Sequence, residues 1–282
     1  MTKIYCIGEL LVDMIGREEK DLTENCGFLK RAGGAPANVA VAASRLGADV
    51  EMVATVGEDE FGDFLAERLK EENVGTDKIG REGKTTLAFV ALDEEAKPHF
   101  SFYRDADENI RNRQLDIEPS KDDIVHLGSL PWTDKSSADN ILNFLKKTDA
   151  KVSFDPNIRE ELLDESYRQV LNEIIEETDI LIAAEEELRF FDKNVVEKPK
   201  ELVITKGEEG AELVHGGEET RFQPPNVEVV DTTGAGDCLT GAYLAFREAG
   251  KTKALQKAVE AAAVSTTSKG AMEALPTKIS LE

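Results

Sequence analysis

Residues 231–237, Asp-Thr-Thr-Gly-Ala-Gly-Asp, combine the residue types that a phosphoryl-transfer site needs. The pattern predicts a strand over residues 227–230, then a glycine-rich turn, then a helix that closes near Gly250. Glycines let the backbone approach a ligand, and the free N–H groups of a first helical turn bind anions. Those donors would stabilise charge on a transferring phosphoryl group, and Asp237 would accept a hydroxyl proton. Taken alone, an acid at this position is more simply explained by the helix dipole.

A second segment, residues 33–38, reads Gly-Gly-Ala-Pro-Ala-Asn and leads into a predicted helix. Pro36 suits the first helical position, and Gly47 suits the end of the helix. Alone, this pattern fits an ordinary loop-to-helix turn as well as it fits a binding loop. Together and in this order, the two segments resemble the two signatures of the ribokinase-like (PfkB) carbohydrate kinases.

The resemblance implies a role for each residue of the two segments. Asp237 becomes the catalytic base of a kinase. The backbone N–H groups that would form the anion hole belong to Gly234, Ala235 and Gly236. The residues that would face the sugar are Gly33, Gly34 and Asn38. The residues that would help to hold a monovalent cation, as in many relatives, are Asp231 and Thr233.

Further segments resemble the same family in the same order along the chain. Asp13, which ends residues 8–13, takes the place of the acid that binds sugar hydroxyls in the family. Residues 205–210 are similar to the nucleotide-binding turn, which would place three residues near ATP: Thr205, Gly207 and Gly210. Glu187 fits the acidic position that helps to organise Mg²⁺ through water. Ala184, however, stands where the family often has asparagine. The resemblance covers essentially the whole chain.

Three local patterns are similar to the fructokinase branch of the family: residues 84–90, residues 100–107 and residues 153–159. Arg104 is a fork-shaped donor that suits a sugar oxygen or a carboxylate. Asn157 and Arg159 follow a predicted strand, where both are candidate substrate-binding residues and Arg159 would reach the triphosphate. Because 2-keto-3-deoxygluconate kinases share versions of the third pattern, that substrate stays open as an alternative to fructose.

Short β-rich runs alternate with helical patterns along the chain, which predicts an α/β fold. The predicted strands cover residues 4–7, 50–56, 124–127, 151–154, 180–183 and 202–205, and the predicted helices cover residues 36–46, 61–72, 136–147, 167–176 and 238–249. We expect a central, mostly parallel sheet with helices on both faces. Residues 1–282 then form one ribokinase-like domain.

Two segments, at about residues 12–31 and 85–104, interrupt this alternation and predict a small β-strand lid. The second reads as two strands joined near residues 93–96. The alternative is a pair of edge strands on the main sheet. In this family such lids often pair across a homodimer, so we expect that assembly as a candidate.

The bulk composition excludes several classes of protein. The net charge of −23 argues against nucleic acid and anionic membranes as partners. No apolar run is long enough to cross a bilayer. Three cysteines without a C-x-x-C pair argue against a disulfide framework and favour the cytoplasm. Residues 8–13 lack G-x-G-x-x-G, which excludes a Rossmann dehydrogenase.

The sequence therefore predicts an ATP-dependent fructokinase whose cofactor is Mg²⁺, with K⁺ as a candidate second cation. The partners are a small sugar and ATP. Two alternatives remain: a kinase of the same family acting on 2-keto-3-deoxygluconate or another hexose, and a sugar or nucleotide sensor without turnover. The sensor predicts damage at the base or the anion hole, yet residues 234–237 are intact.

Overall fold

The computed structural model describes residues 2–18, 20–92, 98–110 and 115–281. Within these residues the strands are β1 (Lys3–Ile7), β2 (Leu11–Gly16), β3 (Phe28–Gly33), β4 (Asp49–Val56), β5 (Gly75–Arg81), β6 (Leu87–Leu92), β7 (Pro98–Tyr103), β8 (Ile124–Leu127), β9 (Lys151–Phe154), β10 (Ile180–Ala184), β11 (Glu201–Thr205), β12 (Ala211–His215) and β13 (Glu218–Phe222). The α-helices are α1 (Ala35–Arg45), α2 (Glu60–Glu71), α3 (Lys135–Leu145), α4 (Glu165–Glu176), α5 (Lys193–Val196), α6 (Ala235–Ala245) and α7 (Lys251–Ser265).

The main sheet has the strand order β13-β12-β11-β10-β9-β8-β1-β4-β5. From β5 to β11 all neighbours are parallel, whereas β12 and β13 are added antiparallel at one edge. Ile4 of β1 lies between Val50 of β4 and Ile124 of β8. Such apolar rows are expected where both faces of a parallel sheet are covered. The predicted mostly parallel sheet is confirmed.

Side chains that alternate along the strands feed two separate hydrophobic cores. Ile4, Met52 and Ile182 point to one face, where α1, α2, α6 and α7 pack. Ile7 and Leu181 point to the other face, which α3, α4 and α5 cover. Burying these apolar surfaces is the main force that holds the helices on the sheet. Both faces are therefore covered, as the sequence predicted.

The helices begin in two ways. Asp59, Asp134 and Asp164 cap α2, α3 and α4 by accepting a backbone N–H of the first turn. The N-cap residues of α5, α7, α1 and α6 give no side-chain cap, and in α1 and α6 they are Gly34 and Gly234. These are the two helices that the glycine-rich segments predict as binding helices.

A second, small sheet has the strand order β3-β2-β6-β7 and is separate from the main sheet. β2 pairs antiparallel with β3 and parallel with β6, and β6 pairs antiparallel with β7. The same two segments predicted as a lid supply these strands, so they are not edge strands of the main sheet. The predicted turn near residues 93–96 lies outside the described residues.

Several elements differ from the sequence prediction. α6 begins at Ala235 rather than at residue 238, and ends at Ala245 before a short 3₁₀ turn, Arg247–Ala249. Residues 227–230 are an exposed connection and not a strand. This segment has no strand neighbour, and Val230 N–H donates instead to the Thr266 carbonyl at 2.8 Å. In the described part of the chain, no helix has the length and apolar character to cross a membrane.

Candidate active site

The carboxyl ends of the central parallel strands converge on one side of the sheet, where ligands bind in open α/β folds. Glu9 follows β1, Gly128 follows β8, Asp155 follows β9 and Glu187 follows β10. The N-termini of α1 and α6 face the same region, because Asn38 of α1 contacts Asp237 of α6. This edge of the sheet is the candidate active site.

Asp237 lies in the first turn of α6, directly after the glycine turn. Gly234, the N-cap, has φ of 76°, a left-handed conformation that glycine adopts readily. A Cβ on Gly234 would lie 2.9 Å from the Cβ of Ala271, whereas a Cβ on Gly236 would meet open space. The Ala235 N–H donates to the Thr232 carbonyl at 3.1 Å, which closes the turn. The open side at Gly236 leaves room for an anion at the helix N-terminus.

The Asp237 carboxylate is buried, with 8% of the residue exposed. Burial raises its pKa to about 6, although a hydrogen bond from Asn38 and the charge of Arg159 act in the opposite direction. The Asn38 Nδ2–H donates to Asp237 Oδ2 at 2.8 Å. A carboxylate with a pKa just below neutrality suits a general base.

Asp13 faces this site from the small sheet. Gly33 makes room for it, because a Cβ on Gly33 would lie 2.0 Å from Asp13 Oδ2. Burial raises the pKa of Asp13 to about 7; Arg159 lowers it, and Asp237 raises it. Gly34, with φ of 106°, allows a close approach to Glu9, since a Cβ there would lie 2.4 Å from the Glu9 carbonyl oxygen. The structure thus brings the predicted sugar-binding residues Asp13, Gly33, Gly34 and Asn38 around the predicted base.

Arg159 is the positive charge that these acids share. Its charge lowers the pKa of Asp13, Asp237, Glu9 and Glu187 against the effect of burial. Asn157, two residues before it, has φ of 39°, which places the loop after β9 in an uncommon left-handed conformation. Arg159 therefore offsets part of the negative charge of these carboxylates.

Glu187 ties two segments together. Its Oε1 accepts the Ile158 N–H at 2.6 Å, and its Oε2 accepts the Ala184 N–H at 2.8 Å. Burial raises its pKa, and these two hydrogen bonds lower it. The backbone of Ala184 therefore supplies the polar contact at the position where the family often has an asparagine side chain.

The predicted cation residues Asp231 and Thr233 contact one another. Asp231 Oδ1 accepts both the N–H and the hydroxyl of Thr233, at 3.0 and 2.6 Å, and Oδ2 accepts the Gly270 N–H at 2.9 Å. Burial raises the pKa of Asp231, but these hydrogen bonds outweigh it and lower the pKa overall. The ionised carboxylate joins the loop before α6 to the C-terminal segment.

The predicted nucleotide turn lies between β11 and β12. Thr205 ends β11, and Gly207 and Gly210 have φ of 55° and 93°. The Lys206 N–H donates to the Gly210 carbonyl at 2.9 Å, which closes the turn. Lys206 forms ion pairs with Glu185 and Glu212, at 3.1 and 2.9 Å. This turn follows β11, the neighbour of β10 in the sheet, and Glu187 comes just after the end of β10.

Comparison with known proteins decides the family. The family described as pfkB family carbohydrate kinase matches residues 1–278. This chain belongs to the pfkB family of carbohydrate kinases. An Arabidopsis thaliana protein named "Probable fructokinase-2" is 35% identical over 310 residues, which cover 97% of this chain and 93% of that protein.

Two solved structures share the fold of this kinase. An uncharacterized sugar kinase from Pyrococcus horikoshii, in complex with ATP, has a TM-score of 0.89 at 35% identity and covers 98% of this chain and 96% of its own. A fructokinase from Vibrio cholerae, bound to fructose, ADP and calcium, has a TM-score of 0.85 at 29% identity, covering 100% and 98%. The predicted family and the predicted ribokinase-like α/β fold are confirmed.

Arg104 of this kinase is engaged elsewhere. Its Nε and Nη2 donate to Asp107 Oδ2 at 2.8 and 2.6 Å, and the guanidinium also donates to Thr133 Oγ1 and the Leu130 carbonyl. Asp107 is fully buried and also accepts the Thr86 hydroxyl. The structure therefore shows Arg104 neutralising a buried acid, which differs from the free sugar-binding donor that the sequence suggested.

Asp155 is a site residue that the sequence prediction missed. Thr240 of α6 donates its hydroxyl to Asp155 Oδ2 at 2.9 Å. Burial, then the charges of Glu187 and Asp237, raise the pKa of Asp155 well above its ordinary value. Its position directly after β9, two residues before Asn157, was the available signal.

The carboxylates Asp155 and Glu187 form a donor set that suits a divalent cation, because hard cations prefer oxygen ligands. Their shared burial and mutual repulsion are conditions that a cation would relieve. Among the described residues there is no group of three His, Cys, Asp or Glu side chains placed to hold a metal by themselves. A cation here would therefore complete its shell with water and substrate oxygens.

The cysteines and the buried histidine take no part in this arrangement. Cys238, beside Asp237, is buried, and burial raises its thiol pKa to about 12. It packs as a small side chain. His126 lies in the sheet next to Ser153, and burial lowers its pKa to about 3, which keeps it neutral.

Proposed function

We propose that this kinase is an ATP-dependent fructokinase that transfers the γ-phosphate of ATP to a hydroxyl of fructose. The observation that carries the proposal is Asp237, a buried carboxylate at an uncapped helix N-terminus, surrounded by Asn38, Asp13 and Arg159. The fructokinases among its relatives supply the choice of sugar.

In this proposal Asp237 accepts the proton of the attacking hydroxyl. The N–H groups of Gly234 and Gly236, at the start of α6, stabilise the phosphoryl oxygens as charge develops there, whereas the Ala235 N–H is already bound to the Thr232 carbonyl. Arg159 lies close enough to Asp13 and Asp237 to hold a phosphate oxygen beside the base. Proton acceptance and charge stabilisation then come from the same helical turn.

The sugar would lie between the small sheet and the end of the main sheet. Asp13 binds its hydroxyls as an acceptor, and Gly33, Gly34 and Asn38 shape the wall beside it. Asn157, in the loop after β9, would face the same sugar site. We propose that the small sheet acts as a lid, within one domain spanning residues 1–282, since a lid excludes water from the reacting groups. The same lid pairing with a second copy is our candidate for the assembly.

A divalent cation, Mg²⁺, would be held by Glu187 through water, with Asp155 beside it, and would neutralise charge on the phosphates.

Thr205, Gly207 and Gly210 form the nucleotide turn. Asp231 and Thr233 would hold a monovalent cation, for which K⁺ is the candidate, because Asp231 is ionised and joins the loop before α6 to the C-terminal segment. We propose the cytoplasm as the site of action.

Arg104 does not indicate a carboxylate substrate, because its guanidinium is bound to Asp107, Thr133 and Leu130. Since Arg159 lies beside Asp13 as another cation, the choice of fructose over 2-keto-3-deoxygluconate is supported by the fructokinases among the relatives.

A coupled ADP-release assay with ATP and Mg²⁺ tests the proposal. The panel contains fructose, 2-keto-3-deoxygluconate, ribose and glucose, each with K⁺ and with Na⁺. We expect the highest kcat/KM on fructose. Highest turnover on the keto acid would keep the reaction and change the substrate. No ADP from any sugar, with ATP still bound, would favour the sensor.

A further inference from the structure

Helices α1 and α6 approach each other unusually closely at Gly241. A Cβ on Gly241 would lie 2.6 Å from the Cβ of Ala42 and 2.7 Å from the carbonyl oxygen of Val39, both in α1. Contacts this short between a Cβ atom and a backbone oxygen are steric clashes. The present distance between the two helices therefore depends on the absence of a side chain at residue 241.

This close approach lies one helical turn from the base. Gly241 is four residues after Asp237 in α6, and Ala42 is four residues after Asn38 in α1. Residues four apart share one face of a helix. The contact of Gly241 with Ala42 consequently places Asn38 opposite Asp237, where the Nδ2–H to Oδ2 distance is 2.8 Å.

The chemistry of the pair fixes the orientation of the amide. An ionised carboxylate only accepts hydrogen bonds, so Asn38 must turn its NH₂ group toward Asp237. Both residues are buried, Asn38 at 6% and Asp237 at 8% exposure. Asn38 Oδ1 is left buried and has no hydrogen-bond partner among the described residues. A donor on the sugar can fill this acceptor, but the other half of the amide is committed to the base.

We propose that Asn38 and Gly241 are positioning residues for the base: Gly241 sets the distance between α1 and α6, and Asn38 uses that distance to hold the Asp237 carboxylate ionised and fixed. This inference rests on the proposed kinase function. Asn38 thus acts on the base in addition to any contact that it makes with the sugar.

Other charged groups around Asp237 also affect the ionisation of its carboxylate. Asp155, from the end of β9, and Asp13, from the small sheet, face Asp237 and disfavour its ionised form, whereas Arg159 favours it. With two acidic neighbours and one arginine nearby, loss of the Asn38 donor raises the pKa of Asp237 and favours its protonated form. A protonated Asp237 accepts no proton, so activity is lost at low pH first.

The test is the pH dependence of kcat/KM, which reports the free enzyme. In the wild type we expect the acid limb near pH 6. In Asn38→Ala we expect it about one pH unit higher, the order of a lost hydrogen bond to an ionised group. Gly241→Ala should shift it in the same direction, and the double variant should shift it no further than Asn38→Ala alone.

The control is Leu171→Ala, which removes a fully buried side chain from the core on the opposite face of the sheet. It should lower stability and leave the acid limb in place. A higher KM for the sugar in Asn38→Ala with an unmoved acid limb would overturn the proposal. Additive shifts in the double variant would overturn the role of Gly241. If Gly241→Ala does not fold, Asn38→Ala still decides the role of Asn38.

A second readout does not need turnover. Carboxyl ¹³C NMR titration follows Asp237 directly, with its signal assigned by its absence in Asp237→Asn. A higher pKa in Asn38→Ala supports the positioning role even if no sugar in the panel is phosphorylated. An unchanged pKa overturns it even if fructose is an excellent substrate. Failure of the proposed function and failure of this inference are thereby distinguished.

Discussion

Asp237 is the residue on which the chemistry of the site depends. Asp237→Asn keeps the size of the side chain and removes the proton acceptor. We expect kcat to fall by roughly 10²–10⁴-fold, the range for a lost general base, while ATP still binds. The folded protein should be no less stable, because a buried carboxylate is replaced by a neutral amide. Single-turnover kinetics and nucleotide titration check both parts, and near-normal kcat would exclude Asp237 as the base.

For Arg104 we predict an effect on stability, in contrast to the effect on activity expected for Asp237. Arg104→Ala leaves Asp107 buried and unpaired, which we expect to cost about 3–5 kcal/mol of the free energy of unfolding. The control is Arg189→Ala, whose ion pair with Glu160 is exposed on both sides, at 60% and 65%. That change should stay within about 1 kcal/mol. Urea denaturation measures both. Unchanged stability with a raised KM for the sugar would instead return Arg104 to the substrate.

For single residues, the sequence indicates candidate site side chains but does not show which of them are buried together. The glycine turn pointed to Asp237, and the structure places it in a first helical turn. Asp155 was missed, because only the folded sheet brings it between Glu187 and Asp237. Glu9 was missed as well, since its carboxylate reaches the Ala35 N–H, at 3.0 Å, only after β1 and α1 have packed. Both facts depend on tertiary contacts.

Among the elements, the turn between β11 and β12 offers a matched pair of glycines. A Cβ on Gly210 would lie 2.0 Å from the carbonyl oxygen of Phe222, whereas a Cβ on Gly207 meets nothing within 4 Å. Both have left-handed φ, which costs a non-glycine residue about 1–2 kcal/mol. We expect Gly207→Ala to lose about that much stability and Gly210→Ala distinctly more, because β13 must move. Denaturation midpoints decide it, and equal losses would contradict the argument.

Buried strands were predictable, and edge elements were not. Residues 124–127 and 151–154 match β8 and β9 at both ends, because a central parallel strand is apolar on both faces. β5, by contrast, has the polar sequence Gly-Thr-Asp-Lys-Ile-Gly-Arg and lies at the edge, where one side has no partner to specify it. Its pairing with β4 decides its structure more than its composition does.

Three missed elements did carry a local signal. β12 and β13 are joined by Gly216 and Gly217, both with positive φ, which is the conformation of a tight hairpin turn. α7 begins after Gly250 and runs through an alanine-rich segment that favours a helix. The predicted strand at residues 227–230 failed for the opposite reason. Val229 and Val230 are more than half exposed, so β-branched composition alone did not create a strand.

At the scale of the whole molecule, the net charge of −23 opposes the binding of a nucleotide. The site compensates locally, through Arg159 and through the uncapped N-terminus of α6. Burial of Glu9 and Asp13 in one region raises their pKa values to about 7 and reduces the negative charge there near neutral pH. The acids that line the site therefore repel an anion less than their number suggests.

The same burial makes a prediction about stability and pH. Glu9 and Asp13 have pKa values raised to about 7 in the folded protein, so between their ordinary values and pH 7 the folded state binds more protons than the unfolded chain. Stability must then fall as pH rises through this window. We expect the free energy of unfolding to be larger at pH 5.5 than at pH 8.5, by on the order of a few kcal/mol.

Acids with lowered pKa, such as Asp59 and Glu72, give the opposite dependence, but their contribution is lost only as pH falls below about 4. Net repulsion across the molecule follows the same direction as Glu9 and Asp13, so urea denaturation at each pH is done in high salt, which screens it. The double variant Glu9→Gln, Asp13→Asn removes the contribution of this pair and should show a smaller dependence on pH, while Asp155 and Asp237 keep their raised pKa values. Stability that rises steadily from pH 5.5 to 8.5 in the wild type would show that these carboxyls are ionised without cost, and that the active site is far more polar than its burial implies.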